Sequence, residues 1–152
     1  MKFFAVTLAL ASFSVFAATS GTLNLKGKVN EKLSILVTPE AVALTLDLEV
    51  SANDLKVASV NEKSNSNSGY KISISSANLG KLIRTGGAEE FPYSIKYDSQ
   101  VIDLVNGDEI VHSSAVVADV DNDVLISYTG IPAEDMVAGN YKDTITFQIS
   151  AN

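Results

Sequence analysis

The 152-residue chain has no cysteine, no tryptophan and a single histidine, His112. The missing thiols exclude disulfides, thiol nucleophiles and Cys-zinc sites. One imidazole excludes any site built from two histidines of one chain. Basic residues are scarce, 11 against 18 acidic ones, and the formal charge is −7. An acidic surface argues against nucleic acid or an anionic membrane as the partner. No internal repeat, linker or low-complexity tail interrupts the sequence.

Long apolar runs are also lacking, with one exception at the start. Met1-Lys2 gives a short positive beginning, Phe3 to Leu10 is apolar, and Ala11 to Phe16 continues it with small residues mixed in. Val15-Phe16-Ala17 places small or medium side chains at the −3 and −1 positions of a processing site. This predicts a secretory signal peptide over residues 1–17. Its apolar part is too short to span the roughly 30 Å of a bilayer core. Cleavage there removes 17 of the 152 residues and Lys2, taking the formal charge from −7 to −8. The remainder has the size of one ordinary domain, expected to be soluble after export.

What the mature sequence does have is a period of two. Leu23, Leu25 and Val29 alternate with Asn24, Lys26 and Lys28. Leu33, Ile35 and Val37 repeat the pattern, as do Val42, Leu44, Leu46 and Leu48. Further strands are expected at Leu55 to Asn61, Tyr70 to Ser75, Phe91 to Tyr97, Val124 to Tyr128 and Tyr141 to Ile149. Alternation puts one face of each strand into a core and the other into water. The polar loop Ser64 to Gly69, Thr85-Gly86-Gly87 and Asn106-Gly107-Asp108 separate these runs as turns. Short helical turns fit Ser51 to Leu55 and Pro132 to Val137. The fold expected is an all-β antiparallel sandwich.

The two ends of the mature chain stand out. Tyr141, Asp143, Ile145, Phe147 and Ile149 share one face of a terminal strand that Gly139-Asn140 introduces. At the other end, Ala18-Thr-Ser-Gly21 is small and flexible, and Thr22 to Val29 follows as a strand. Gly27 leaves a gap in its apolar face, which marks close backbone approach or a shallow pocket.

Together these ends resemble the subunits of chaperone–usher fimbriae. Leu23-x-Leu25-x-Gly27-x-Val29 looks like a pilin donor strand, and Gly139-Asn140-Tyr141 looks like the Gly-x-Tyr opening of the pilin C-terminal strand. Leu55 to Asn65, then Gly69-Tyr70-Lys71-Ile72, are similar to strands of colonisation-factor pilins. Spore-coat-U-like secreted proteins share the layout. Many pilins carry a disulfide near the first strand, so its absence points to the cysteine-free colonisation-factor branch. The resemblance implies an immunoglobulin-like sandwich lacking its last strand, with a groove beside Gly139, Tyr141, Ile145, Phe147 and Ile149. It implies residues 18–30 as a donor-strand extension carrying Leu23, Leu25, Gly27 and Val29, and residues 31–152 as the pilin domain. It implies neighbouring subunits, a periplasmic chaperone and an outer-membrane usher as partners, passage through the periplasm to the cell surface, a role in adhesion and contact with a host or surface receptor. The competing reading of Thr22 to Val29 is an ordinary first strand paired within its own domain.

Few residues suggest chemistry. Asp119, Asp121 and Asp123 are spaced like the start of a calcium loop, which takes oxygen ligands at alternate positions. Val124 stands where such a loop needs Gly, and Glu134 is a poor distal ligand, so a polar turn competes with calcium. His112 beside Ser113 and Ser114 imitates a base and nucleophile, but no third group orients the imidazole. Glu89-Glu90 imitate paired carboxylates, yet adjacent side chains on a strand point apart. Tyr93 and Tyr97 suit sugar stacking or a core face equally. With no converging site, neither an enzyme nor a cofactor is expected. Two functions compete: a structural fimbrial subunit, and a monomeric secreted or periplasmic immunoglobulin-like module that binds a ligand.

Overall fold

The computed structural model describes residues 20–152; the expected signal peptide, 1–17, and the first two residues after it lie outside these. Eleven strands follow in order: β1 Leu33–Pro39, β2 Ala52–Ser64, β3 Tyr70–Ser76, β4 Lys81–Arg84, β5 Glu90–Pro92, β6 Ser94–Tyr97, β7 Gln100–Val101, β8 Asp108–His112, β9 Ala118–Tyr128, β10 Tyr141–Lys142 and β11 Ile145–Ala151. All pairs are antiparallel. One sheet runs β1-β2-β9-β6-β7, a second β11-β3-β8, and a short third β10-β4-β5. The all-β antiparallel expectation holds, and the sheets enclose one core.

Alternation builds that core. Tyr70, Ile72 and Ile74 of β3 point inward and are buried, while Lys71 and Ser73 point out. Val124, Ile126 and Tyr128 of β9 and Ile95 and Tyr97 of β6 face them from the first sheet. In β2 the register slips between Lys56 and Ala58, so Val57 and Ala58 are both buried side by side. Such an extra residue is a β-bulge, which bends the strand without breaking the sheet. Asp98 and Ser99 join β6 to β7 with φ of 46° and 62°. Two successive positive φ values are those of a type I′ hairpin, whose twist matches its strands. At Gly69, φ is 85° and a Cβ would fall 1.9 Å from the His112 carbonyl oxygen. Only glycine fits there.

Several strand expectations do not hold. Val42, Leu44, Leu46 and Leu48 do not form a strand. β1 closes with Glu40 N–H donating to Val57 O, and Ala41–Leu44 then coils into a 3-10 turn held by Ala43 N–H to Glu40 O and Thr45 N–H to Val42 O. Local i→i+3 bonds satisfy the backbone there in place of a ladder. β2 opens at Ala52, so the helical turn expected over Ser51 to Leu55 does not form, while Ala133–Asp135 is a 3-10 turn as expected within Pro132 to Val137. Phe91 to Tyr97 divides at Tyr93 into two strands of different sheets. Thr22 to Val29 is no strand within its own domain: residues 20–32 belong to no sheet.

The terminal strand also divides. Tyr141–Lys142 pairs with β4, and Ile145–Ala151 pairs with β3. Asp143 holds the break. Its carboxylate accepts hydrogen bonds from Ser76 Oγ (2.5 Å), Tyr93 OH (2.5 Å), Asn78 N–H (3.0 Å) and its neighbour Thr144 N–H (2.7 Å). Asp143 therefore ties three segments together where alternation alone placed it on an apolar face.

Candidate functional site

Two edge strands of different sheets lie side by side. β1 is the outer strand of the first sheet and β11 the outer strand of the second, and they approach each other without a shared ladder. Burial falls sharply on reaching them. Ile72 and Ile74 of β3 are 0% and 1% exposed, yet their direct partners on β11, Ile149 and Phe147, are only half-buried. Val60 of β2 is fully buried, yet its partner Val37 on β1 is 38% exposed. Ile35 and Leu33 are half-buried as well. The gap between β1 and β11 is thus a strip of core that water reaches, walled by Leu33, Ile35 and Val37 on one side and Ile145, Phe147 and Ile149 on the other. Each wall also presents an unpaired backbone edge, a template for another strand.

The strip has two distinct ends. Leu33 lies opposite Ser64, and Ala151 opposite Tyr70, so the start of β1 and the end of β11 meet at the 65–69 loop. At the far end β1 leaves through Ala41–Leu44 and β11 begins after Gly139 and Tyr141. There an open hollow of about 730 Å³ is lined by Leu44, Leu46, Leu48, Leu82, Met136 and Val137, among others, together with Gly139 and Tyr141. The Tyr141 hydroxyl donates to Val137 O at 2.7 Å, the local tie of a corner residue.

The segment ahead of β1 touches almost nothing. Leu23, Leu25 and Val29 are 81%, 84% and 86% exposed, and no atom beyond its chain neighbours comes within 4 Å of a Cβ built at Gly27. The segment is anchored only where it joins the domain. Asn65 accepts from Lys32 N–H through Oδ1 (2.6 Å) and donates through Nδ2 to Asn30 O (3.0 Å).

A second cluster lies deeper. Glu62 of β2 is fully buried. Its carboxylate accepts from Tyr70 OH (2.8 Å), Tyr97 OH and Asn122 Nδ2 (3.1 Å). Burial, and then the bond to Glu62, push the Tyr70 and Tyr97 hydroxyls well above the usual tyrosine range. The His112 ring stacks on Tyr70 with centroids 4.5 Å apart, and its Nε2 lies 3.8 Å from Glu62 Oε2 without a hydrogen bond. Ser113 and Ser114 line a shallow pocket of about 320 Å³ beside this cluster, and neither hydroxyl bonds to His112.

The remaining expected sites disperse. Asp119, Asp121 and Asp123 lie within β9 and form no turn. Asn61 Nδ2 bridges Asp119 and Asp121 at 2.9 Å each, Lys63 pairs with Asp119 at 2.9 Å, and Lys56 with Asp123 at 2.8 Å. A flat strand cannot wrap these carboxylates round an ion, and among the described residues no three acidic or imidazole groups are arranged to hold a metal. Glu89 pairs with Arg84 (2.6 Å), whose hydrogen bond lowers its carboxyl below the usual range, and Glu90 pairs with Lys81 (2.5 Å). Tyr97 is buried and offers no ring face, while Tyr93 is half-buried with its hydroxyl on Asp143. Sequence reasoning passed over the β1 wall, Glu62 and the anchoring role of Asn65. The β1 alternation was visible, but not that its edge would stay open.

Among the described residues no helix is long and apolar enough to cross a membrane. The chain matches no protein-family model, and a search of curated proteins finds none that matches it.

Proposed function

We propose that the chain is a structural subunit of a surface fimbria, assembled by donation of its N-terminal segment to the next subunit through a chaperone–usher pathway. One observation carries this reading. The domain leaves an apolar strip open between β1 and β11, while its own period-two segment, Leu23 to Val29, lies unused and exposed. An apolar strand edge over accessible core is an aggregation hazard that a chain tolerates only when something covers it. An extended segment added as a strand supplies backbone bonds to both edges and side chains to the strip.

The magnitudes are sufficient. Burying a Leu or Val side chain contributes about 1.5–3 kcal/mol, so Leu23, Leu25 and Val29 together give about 5–9 kcal/mol. That is comparable to the stability of a whole domain, about 5–15 kcal/mol. Because donor and acceptor are different surfaces, the contact repeats head to tail and grows a fibre. In this reading the domain is an immunoglobulin-like sandwich short of one strand, a periplasmic chaperone occupies the strip before assembly, and adhesion follows from display on the cell surface.

Deleting residues 18–28 tests the reading. The shortened subunit should fold and co-purify with its chaperone yet form no polymers. A shortened subunit that cannot fold even beside the chaperone would return the segment to its own domain. A stable, partner-free monomer from the full mature chain would favour the ligand-binding module instead.

A further inference from the structure

We infer a second contact between neighbouring subunits, separate from the donated strand: the 113–117 loop of one copy seats on the exposed Leu44 and Val137 at the hollow of the copy that receives its N-terminal segment. The inference rests on the polymerisation reading above and adds the surface that meets the neighbour.

The tether is short. Only Asn30, Glu31 and Lys32 separate Val29 from Leu33, the first residue of β1. Four residue steps span at most about 14 Å. Wherever Val29 ends in the receiving subunit, the donating domain must lie against that point. Asn65 fixes the exit on the donor side by bonding both Asn30 and Lys32.

The 113–117 loop sits beside that exit. Leu33 pairs with Ser64, and Ser64 pairs with Ala118, so Val117 adjoins a residue two strand spacings from Leu33, about 10 Å. Val116 N–H donates to Ser66 O at 3.2 Å, which packs the loop on the same end of the domain. Val117 is 87% exposed and Val116 36%. Val116 packs towards its own domain, and Val117 is left in solvent beside the exit.

Strand direction decides what the loop meets. β1 and β11 run in opposite senses, so a strand between them is antiparallel to one and parallel to the other whichever way it lies, and the position of the exits decides. A donor antiparallel to β11 runs alongside β1 in the same sense, and its last residue, Val29, then emerges at the hollow end. The opposite direction would bring Val29 out at Leu33 and Ala151, where the receiving chain's own segment leaves, and two exits would compete for one place. With the first direction, Val116 and Val117 of the donor face Leu44, Leu46 and Val137 of the receiver. Leu44 is 87% exposed and Val137 49%. Exit and hollow lie at opposite ends of β1, so the contact repeats along a linear fibre.

The absence of native cysteine makes the test clean. The full mature chain carrying Val117→Cys and Leu44→Cys is assembled in its own host and oxidised. Facing positions within the 7 Å Cα limit of a disulfide should yield a ladder of covalent multimers on a non-reducing gel. Val117→Cys alone should give nothing beyond dimers, and Val117→Cys with Val101→Cys should give no ladder. Polymers that form without a covalent ladder overturn this contact and leave strand donation standing. Failure of the unmodified chain to form polymers overturns both. Should the cysteine pair not be exported, Val117→Asp supplies a second measure. At so exposed a position it leaves the monomer's folding unchanged and should lower the denaturant midpoint for fibre dissociation; an unchanged midpoint overturns the contact.

Discussion

Replacing Glu62 by Ala should be the most damaging single change to a polar residue in this domain. Its carboxylate is fully buried and receives three side-chain donors, Tyr70 OH, Tyr97 OH and Asn122 Nδ2. Truncation leaves all three donors without an acceptor, the Tyr70 and Tyr97 hydroxyls buried and the Asn122 amide half-buried beside the shallow pocket. An unsatisfied buried donor costs about 1–3 kcal/mol. The expected loss is therefore about 2–6 kcal/mol, allowing the Asn122 amide to find water, against a typical total of about 5–15 kcal/mol. Glu62→Gln keeps one carbonyl oxygen but turns an amide towards a hydroxyl, so one Tyr must rotate; about 1–2 kcal/mol should be lost. Glu62→Leu combined with Tyr70→Phe and Tyr97→Phe removes the two buried hydroxyl donors and leaves only the half-buried Asn122 amide. It should recover much of the Ala loss, because replacing hydrogen-bonded polar partners together by apolar groups of the same shape is nearly neutral. Urea unfolding followed by circular dichroism, with equal slopes for all variants, measures the series. A loss below about 1 kcal/mol for Glu62→Ala, or no recovery in the triple variant, would refute the assignment of Glu62 as the shared acceptor.

Three further outcomes follow from the same structure. Asp143→Ala removes the acceptor that Ser76, Tyr93 and two backbone N–H groups share, and should cost about 2–4 kcal/mol by the same unfolding assay, with Tyr93→Phe costing about 1 kcal/mol. Gly69→Ala places a Cβ against the His112 carbonyl at positive φ and should destabilise by at least about 2 kcal/mol, seen as a lower Tm. Alkaline titration should unfold the domain cooperatively. Tyr70, Tyr93 and Tyr97 have folded pKa values raised by burial and by their carboxylate partners. Their contribution is fully present below the ordinary tyrosine value near 10 and falls as pH rises above it, because the unfolded chain then releases protons that the folded chain retains. Tyrosinate absorbance should rise together with loss of structure; ionisation of these three groups in a still folded domain would contradict their burial.

Much of the fold was legible because β3 and β9 obey a strict alternation that their burial repeats. Where the sequence misleads, the reason is partnership and not periodicity. Val42 to Leu48 alternates as well as any strand here, but it joins no sheet, and its first residues close a 3-10 turn over Ala41–Leu44. Tyr141 to Ile149 alternates without interruption, yet Asp143 finds four donors and switches the chain between sheets. β8 was hidden because Ile110 is its one buried residue. Glu62 continues the inward phase of Ala58 and Val60, and its charge marks it as exposed until the two tyrosines that receive it are known. For the site, the exposed segment Leu23 to Val29 and the β11 wall were readable from alternation near the termini. The β1 wall was not, because alternation tells which face is buried and not which backbone edge is left unpaired.

The central claim is that the strip between β1 and β11 takes a segment like Leu23 to Val29 from another copy. A peptide of residues 20–32, added to the subunit lacking residues 18–28, tests it most directly by thermal unfolding. At one hundred times its dissociation constant a ligand specific for the folded state adds about 2.7 kcal/mol, which should raise Tm by roughly 10 °C for a domain of this size. The same peptide with Leu23→Asp and Leu25→Asp should leave Tm unchanged. No shift with the natural peptide, or an equal shift with both, would contradict the account.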